Sequence, residues 1–208
     1  KKCMDNLKEI NYGQAIYEGC YQEMKKDDSV FVYGLGVDDQ KGHYGTSKDL
    51  HKVFGEKRSF DMPLSEDAMT GVGIGAALAG LRPIYVHQRM DFLLLCMNQL
   101  VNMAAKLRYM SSGEHSVPFV VRAAIGRSWG QGAQHSQAFH SYFMHVPGIK
   151  VVAPTTPHDA KGCLIASIRD NNPVIFVEHR MLYSNTGYVP EKLYEVEFGK
   201  GRVLIEGT

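Results

Sequence analysis

Short, nearly continuous apolar runs alternate with amphipathic segments along most of the chain. The runs VFVYGLGV, RPIYVHQ, VPFVVRAA and PVIFVEH are rich in Val, Ile and Phe, which is typical of strands buried on both faces. Between them, apolar residues recur three and four positions apart and predict helices, the longest being DFLLLCMNQLVNMAAKLRYM. This order predicts an α/β fold: a doubly wound, mostly parallel sheet with helices on both faces.

The regular pattern covers residues 1–184, which we interpret as one domain. From about Tyr183 the pattern loosens into SNTGYVPEKLYEVEFGKG, so residues 185–208 are predicted to be a linker. The chain begins at Lys1 rather than Met and ends on GRVLIEGT, which resembles the start of a new strand. We therefore expect it to be part of a longer polypeptide.

Composition and charge narrow the class of partner. The 208 residues carry a formal net charge of +1, whereas chains that bind nucleic acid usually show a basic excess, so no nucleic-acid partner is expected. The apolar runs are too short to span a bilayer, and no membrane partner is expected. The cysteines form no C-x-x-C pair, which argues against zinc and indicates reduced thiols in a cytoplasmic protein: Cys3, Cys20, Cys96 and Cys163.

Polar and glycine-rich segments follow the predicted strands. In parallel sheets, ligands bind beyond the carboxyl ends of the strands, so these segments are where a site is expected. They include GLGVDDQ, MPLSE, VHQRMDF and GRSWGQGAQHSQ. The stretch DDQKGHYGTSKD is predicted to be a surface loop.

Glu66 and Asp67 open a helix that is otherwise Ala, Ile, Leu, Val and Gly. Position alone favours a structural reading, in which acids of the first turn interact with the helix dipole and Ser65 is the N-cap. Glu66 also follows the carboxyl end of a strand, where a carboxyl group could exchange a proton with a nitrogen heterocycle. Both readings stay open at this point.

The glycine run GVGIGAALAG lies inside the same helix and does not match G-x-G-x-x-G. It is the sole support for a nucleotide-binding module, which the pattern disfavours. Because glycine destabilises a helix by about 1 kcal/mol relative to alanine, several together predict a closely packed neighbour, such as a helix at a subunit interface.

Aromatic and histidine candidates lie on the loops. His135 is in GQGAQHSQ and, taken alone, reads as a solvated surface residue; His87 follows another strand. Phe92 reads as core by its periodicity, or as an aromatic that stacks on a flat ligand. His140 and His145 are interpreted as packing or surface groups. No H-E-x-x-H or G-x-S-x-G motif is present.

Taken together, these motifs resemble a known family. PLSEDAMTGVGIGAALAGLRPI, DFLLLCMNQLVNMAAKLRYMSSG, GAQHSQAFHSYFMHVPGIKVVAPTTPHDAKG and IRDNNPVIFVEH are similar to the beta subunit of the first component of 2-oxo-acid dehydrogenase complexes. That subunit is of the pyruvate or branched-chain type and carries a transketolase-like pyrimidine-binding domain. The resemblance implies thiamine diphosphate as the cofactor and a 2-oxo acid as the substrate. It also implies that the linker leads to a C-terminal domain outside this sequence. It also implies an alpha partner whose G-D-G…N-N motif holds the diphosphate and Mg²⁺, in an alpha2beta2 or homodimeric core.

The resemblance also assigns roles to residues. Glu66 matches the glutamate that hydrogen-bonds N1′ of the cofactor's aminopyrimidine, Phe92 matches the aromatic that packs on that ring, and His135 matches a catalytic loop histidine. Leu35 and Gln88 fall at cofactor-contacting positions. On this reading Asp67 caps the helix and Glu66 faces the cofactor. A structural potassium site, bound mostly through backbone carbonyls, is implied at Phe119, Ser167, Ile168, Asp170 and Asn172.

The chain departs from the family pattern at several positions. Leu35-Gly36 replaces an acidic pair, HQRMD replaces an apolar stretch with Thr or Asn, and the loop after VPFVVRAA adds Arg127 and Trp129. A basic, polar rim of this kind suits a phosphorylated or sugar-derived substrate. The alternatives are therefore a transketolase-like subunit that transfers ketol groups to or from a ketose, an acyloin-forming subunit, or a non-catalytic subunit of the same fold.

Overall fold

Six parallel strands form the central sheet of the computed structural model, which describes residues 6–127, 130–201, 203 and 205–207. The strand order is β3-β2-β4-β5-β7-β6, and a separate antiparallel pair joins β1 to β8. The strands are β1 (Leu7–Asn11), β2 (Val30–Gly34), β3 (Ser59–Phe60), β4 (Arg82–His87), β5 (Val120–Ile125), β6 (Lys150–Val152), β7 (Val174–His179) and β8 (Thr186–Pro190).

Helices cover both faces of the sheet, which confirms the predicted doubly wound fold. The α-helices are α1 (Tyr12–Lys26), α2 (Leu50–Phe54), α3 (Glu66–Leu78), α4 (Ala105–Met110), α5 (His140–Met144) and α6 (Pro157–Arg169). Successive strand residues point to opposite faces, so each strand feeds two cores. In β4, Ile84 and Val86 pack with α1 and α6, whereas Tyr85 packs with α3 and the segment that follows β4.

The segment from Met90 to Met110 is not the single long helix that its pattern predicts. It consists of a 3-10 helix (Met90–Cys96), a π-helix (Asn98–Ala104) and α4. The three-residue repeat of a 3-10 helix aligns residues 90, 93 and 96 on one side, and all three are buried. The spacing then widens to four at the buried residues 100 and 104, so the helix type follows the spacing of the buried side chains.

The end of the described chain is packed rather than loose. β8 pairs with β1 from Leu7↔Pro190 to Asn11↔Thr186. The predicted linker, residues 185–208, thus begins with a strand. Beyond it, Tyr194 donates to the His158 carbonyl oxygen at 2.7 Å, and the Val196 N–H donates to the Gly162 oxygen at 3.2 Å. The position of a domain boundary stays a prediction.

Gly73 is the glycine of α3 that faces the interior. A Cβ there would overlap the Tyr33 hydroxyl and lie 2.7 Å from Phe119 Cε2. At Gly71 and Gly75 nothing among the described residues lies within 4 Å of such an atom. The glycine run therefore has two faces. Gly73 lets α3 approach the rings of Tyr33 on β2 and Phe119 just before β5, whereas Gly71 and Gly75 face outward.

The two faces predict opposite effects of one added methyl group. Gly73→Ala is expected to lower the unfolding free energy by about 1–3 kcal/mol, because it overpacks the core. Gly71→Ala is expected to raise it by about 0.5–1 kcal/mol, because alanine loses less backbone entropy in a helix. Urea unfolding of the chain measures both changes. Equal effects of the two substitutions would contradict the assignment of the inner face.

Within the described ranges, no helix combines the length and apolar character that a membrane crossing requires.

Candidate active site

A cleft of about 540 Å³ opens at the carboxyl ends of β2 and β4. β3 lies on one side of β2 and β4 on the other, and such a reversal of strand order is where doubly wound sheets bind ligands. The residues predicted to serve catalysis or to contact the cofactor all line this cleft: Leu35, Glu66, Gln88, Phe92 and His135. A wider groove of about 1000 Å³, between α4 and Gly148, contains none of them.

Glu66 is the first residue of α3 and half-buried in the cleft wall. Its carboxylate makes no hydrogen bond or ion pair within the described part of the chain. The carboxylate is thus available to a ligand. The helix start does not follow the expected capping scheme, because the Ser65 side chain bonds no backbone N–H and instead donates to Asp67 Oδ1 at 3.2 Å. Asp67 is exposed and contributes as an acid of the first turn.

Phe92 and His135 form the opposite wall. Their ring centroids are 5.1 Å apart at an interplanar angle of 70°, an edge-to-face contact. Phe92 belongs to the 3-10 helix after β4, and His135 ends a short 3-10 helix, Ala133–His135. His135 is half-buried rather than fully solvated, so the contact orients the imidazole toward the cleft rather than toward bulk solvent.

The Leu35-Gly36 departure is explained by backbone geometry. Gly36 has φ +70°, and a Cβ there would lie 2.9 Å from Asp39 Oδ2 and 3.1 Å from Gln88 Nε2. Gln88 Nε2 donates to the Leu35 carbonyl oxygen at 3.1 Å, which joins the ends of β2 and β4. An acidic residue at position 36 would have to adopt this positive φ and displace the Asp39 and Gln88 side chains, so glycine suits the position better. The departures from the family pattern at positions 36 and 88 are therefore linked, because the Gln88 side chain packs beside Gly36.

Several buried polar side chains lie together behind Glu66. Of these, the sequence pattern singled out only His87 as a candidate. Tyr85 stacks on Tyr33 with centroids 4.7 Å apart, and its buried hydroxyl has no hydrogen-bond partner among the described residues. His87 lies next to Tyr85, and its Nε2 is 4.0 Å from Cys96 Sγ. Burial lowers the pKa of His87 to about 3 and raises the pKa of Cys96 to about 11. Both groups are therefore neutral near pH 7.

Arg89 and Asp91 form a second buried set at the cleft. Their side chains are 5% and 2% exposed, with Arg89 Nε 3.4 Å from Asp91 Oδ2. The two atoms are close enough to form an ion pair but are not aligned for a hydrogen bond. Neither atom has a hydrogen-bond partner in the described chain. Asp91 Oδ1 accepts from the Gln137 backbone and side chain at 3.0 and 3.1 Å, which anchors the loop that carries His135.

The predicted surface loop DDQKGHYGTSKD is partly buried, so that expectation is wrong for its centre. His43 is 5% exposed, and Thr46 is fully buried. Arg122 Nη2 donates to Thr46 Oγ1 at 2.6 Å, and its Nε donates to Glu178 Oε1 at 2.5 Å. Burial by itself raises the pKa of Glu178, but the Arg122 guanidinium outweighs this and holds the pKa below its usual range.

This ion pair positions a wall of the cleft. Tyr183 donates to Glu178 Oε2 at 2.8 Å, and its ring stacks on Tyr44 with centroids 4.8 Å apart. Tyr44 lines the cleft and accepts a hydrogen bond from Arg180 Nη2 at 2.8 Å. The sequence gives no local signal for this set, because its members come from three separate segments.

The implied potassium ligands lie together at the amino ends of β4, β5 and β7, away from the cleft. Their oxygens already accept internal hydrogen bonds. Arg82 Nη1 donates to the Ile168 and Asp170 carbonyl oxygens at 2.9 and 3.3 Å, and the Val174 N–H donates to the Phe119 oxygen at 2.9 Å. The Asp170 N–H bonds the Ser167 oxygen at 3.3 Å, and Asn172 Oδ1 accepts from Arg108 at 3.2 Å.

No group of three or more His, Cys, Asp or Glu side chains in the described residues is arranged to hold a metal ion. Trp129 lies outside the described residues. His145 is exposed and His140 half-buried on α5, away from the cleft lining.

The two buried neutral histidines predict a pH dependence of stability. The folded pKa values of His43, about 4, and His87, about 3, lie below the ordinary value near 6.5. As pH falls from 7 to 5, the unfolded chain binds protons that the folded chain does not, so the unfolding free energy falls by about 1–2 kcal/mol per histidine. His43→Gln and His87→Gln should each flatten this slope in urea unfolding, whereas exposed His115→Gln should not. Unchanged slopes in the first two variants would contradict neutral burial.

The fold and the cleft define a class: a doubly wound α/β domain with an unpaired glutamate and an aromatic ring at the switch point of its sheet. The family model described as "Transketolase, pyrimidine binding domain" matches residues 8–186. The chain belongs to this family.

Curated relatives agree with the resemblance seen in the motifs. The chain is 42% identical to a pyruvate dehydrogenase E1 component subunit beta from Gracilaria tenuistipitata var. liui, over 97% of this chain and 62% of the relative. It is 45% identical to an acetoin:2,6-dichlorophenolindophenol oxidoreductase subunit beta from Cupriavidus necator, over 93% of this chain and 60% of the relative. These matches confirm the similarity to beta subunits of 2-oxo-acid dehydrogenases. The chain spans about three fifths of the length of these relatives.

A solved structure titled "Split gene transketolase, inactive beta4 tetramer" has the same fold, with a TM-score of 0.73 and 19% identity. The similarity covers 95% of this chain and 59% of that one.

Proposed function

We propose that the chain is the pyrimidine-binding part of a beta subunit of a thiamine diphosphate-dependent 2-oxo-acid dehydrogenase. In this role it activates the cofactor for decarboxylation of a 2-oxo acid and transfer of the acyl group. The observation that carries the proposal is the Glu66 carboxylate, which faces a cleft and has no hydrogen-bond or ion-pair partner among the residues that the structure describes. The family match and the names of the curated relatives support it.

The cleft fits an aminopyrimidine ring. Leu35, Met62 and Phe92 give it apolar walls for a flat heterocycle, and Glu66 offers one carboxyl group at its edge. The buried Tyr85 hydroxyl, which lacks a partner in the described chain, is a second polar group in the lining. When bound, thiamine diphosphate supplies the carbanion chemistry that amino-acid side chains cannot provide.

The chain's own residues control one proton. Glu66 holds a proton between its carboxyl group and N1′ of the aminopyrimidine, which sets the tautomer of that ring. Phe92 fixes the plane of the ring, and His135, held against Phe92, is placed to exchange a proton with the substrate. Neutral His87 and Cys96 keep the space behind Glu66 free of competing charge.

The alpha subunit is the proposed partner. The outward face of α3 carries Gly71, Gly75 and the exposed Val72, and it begins at Glu66. A subunit seated there would also cover the cleft, in which Leu64 is 74% exposed. Gly75→Leu should block assembly with the alpha subunit in size-exclusion chromatography; assembly at wild-type affinity would contradict this interface. An alpha2beta2 assembly and a cytoplasmic location stay predictions.

The two cations are also proposals. Mg²⁺ is assigned to the alpha subunit. K⁺ is assigned to the five oxygen-bearing residues 119, 167, 168, 170 and 172, because a carbonyl oxygen has two lone pairs and can accept one hydrogen bond while still binding a hard cation. Thermal unfolding in KCl against NaCl tests this site, and equal unfolding temperatures would contradict it.

Calorimetry of thiamine diphosphate binding tests the function. The chain assembled with its alpha partner and Mg²⁺ is expected to bind the cofactor, and Glu66→Ala in that assembly to bind it more weakly. The chain alone is expected to bind weakly or not at all, because the diphosphate would lack its site. Cofactor binding unaffected by Glu66→Ala would contradict the proposal, and binding of NAD or ATP would favour a nucleotide-binding module instead.

A second candidate function is favoured by the polar end of β4. There Gln88 and Arg89 line the cleft. Such a wall suits ketol transfer or acyloin chemistry on a sugar-derived substrate, and one relative is named for acetoin. Assays of the assembled protein with 2-oxo acids against ketose phosphates separate the two. Lipoyl reduction with no ketol transfer would eliminate this candidate, and no turnover of either would favour a non-catalytic subunit.

A further inference from the structure

The Arg89 guanidinium is an unusual component of the cleft wall. The residue lines the cleft, yet its side chain is only 5% exposed. Nη2 donates to the Gly126 carbonyl oxygen at 2.8 Å, and Nε faces Asp91 without a hydrogen bond. Nη1 has no hydrogen-bond partner among the described residues. A buried donor left unpaired destabilises a fold, so its retention calls for a ligand.

The Arg89 guanidinium has one close counter-ion in the described chain. That counter-ion is Asp91, and one of the two Asp91 oxygens is occupied by Gln137. The neighbouring His87 is neutral and adds no charge. The hydrogen-bonding capacity of Arg89 is therefore only partly used within the described residues.

We propose that Arg89 recognises an anionic oxygen group that the substrate retains through the reaction, in addition to the group at which bonds change. This inference rests on the proposed function and specifies its substrate class: a 2-oxo acid with a second carboxylate, or a phosphorylated ketose. Guanidinium suits this task because its planar N–H donors match carboxylate and phosphate oxygens.

The carboxylate that leaves as carbon dioxide is a poor ligand for Arg89. Decarboxylation removes negative charge from that carboxylate. A cation bound to it would stabilise the substrate more than the transition state and would slow the reaction. A cation bound to a retained group stabilises both states and raises kcat/KM for substrates that carry the group.

The test compares three substrates on the assembled, cofactor-loaded protein with a dye as electron acceptor: pyruvate, 2-oxoglutarate and a ketose phosphate. The wild type should show a kcat/KM at least about tenfold higher for one of the two substrates with an extra anionic group. Arg89→Met should lower that value by about 10- to 100-fold and change pyruvate turnover less than about threefold. Arg89→Lys should give an intermediate loss, and the preferred substrate distinguishes carboxylate from phosphate.

Two controls separate recognition from structure. Arg108, an exposed arginine on α4 that does not line the cleft, should be replaceable by Met without changing any ratio. Calorimetric cofactor binding should be equal in wild type and Arg89→Met. Equal losses for all substrates, or a wild type that prefers pyruvate, would overturn the inference while leaving the proposed function in place. Failure to bind the cofactor, or no turnover of any substrate, would overturn both.

Discussion

Replacing Glu66 with glutamine is expected to lower kcat of the assembled protein by about 10²–10⁴-fold, the range that a positioned acid or base contributes. The amide keeps the shape of the side chain but cannot hold or release the proton at N1′. Glu66 makes no internal hydrogen bond or ion pair within the described chain, so the loss should come without a loss of stability. Steady-state kinetics with saturating thiamine diphosphate measures the effect.

Asp67 is the matched control for this experiment. It occupies the same first turn of α3 but is exposed, and its partner is the Ser65 hydroxyl. Asp67→Asn should change kcat less than about threefold and should lower stability only slightly, by about 0.3–1 kcal/mol, through the helix dipole. A Glu66→Gln variant that keeps more than a tenth of wild-type kcat would contradict the assigned role.

Removing Glu178 is expected to destabilise the fold more than any other side-chain change considered for this protein. Arg122 is fully buried, and Glu178→Ala would leave its guanidinium without a counter-ion, which lowers the unfolding free energy by about 3–5 kcal/mol. The double variant Arg122→Met with Glu178→Leu should be less destabilised than Glu178→Ala, because it leaves no charge unpaired. Chemical unfolding of the three proteins measures the differences.

An exposed ion pair is the control for this comparison. Lys200 and Glu197 are 2.6 Å apart with side chains 70% and 68% exposed, so Glu197→Ala should change stability by less than about 0.5 kcal/mol. The stabilisation from Glu178 is present above its unfolded pKa and is lost as pH falls through its lowered folded pKa, since protonation removes the pair. Similar effects of Glu178→Ala and Glu197→Ala would contradict a buried pair.

Loss of Glu178 should also alter the wall of the cleft. Tyr183 would lose its acceptor, and Tyr44 stacks on Tyr183 in the cleft wall. In a variant that still folds, KM should therefore rise while cofactor binding persists.

The sequence predicts the site better than the loops around it. Glu66, Phe92 and His135 each follow a different predicted strand, and parallel strands end at one edge of a sheet, so their meeting in one cleft follows from topology. The roles of these residues remain predictions, whereas their proximity is observed.

The burial of the loop after β2 could not be predicted in this way. His43, Thr46 and Ser47 are polar residues in a glycine-containing segment, and local sequence assigns such a segment to the surface. Thr46 has a buried partner because Arg122 donates to it from β5, and Ser47 donates to the Val37 carbonyl oxygen within the same loop. The β1–β8 pair is equally non-local: Leu7 pairs with Pro190, and neither segment has a pattern that identifies the other.

The β1–β8 pair has a consequence for how the domain can be carried by other polypeptides. Its antiparallel register brings Leu7 beside Pro190, so the start of the first strand and the end of the last strand are separated by about one interstrand spacing, roughly 5 Å. A domain whose ends meet in this way can be fused to further modules at either side, or inserted as a cassette, without stretching its core. The same domain can therefore be accommodated in different gene arrangements.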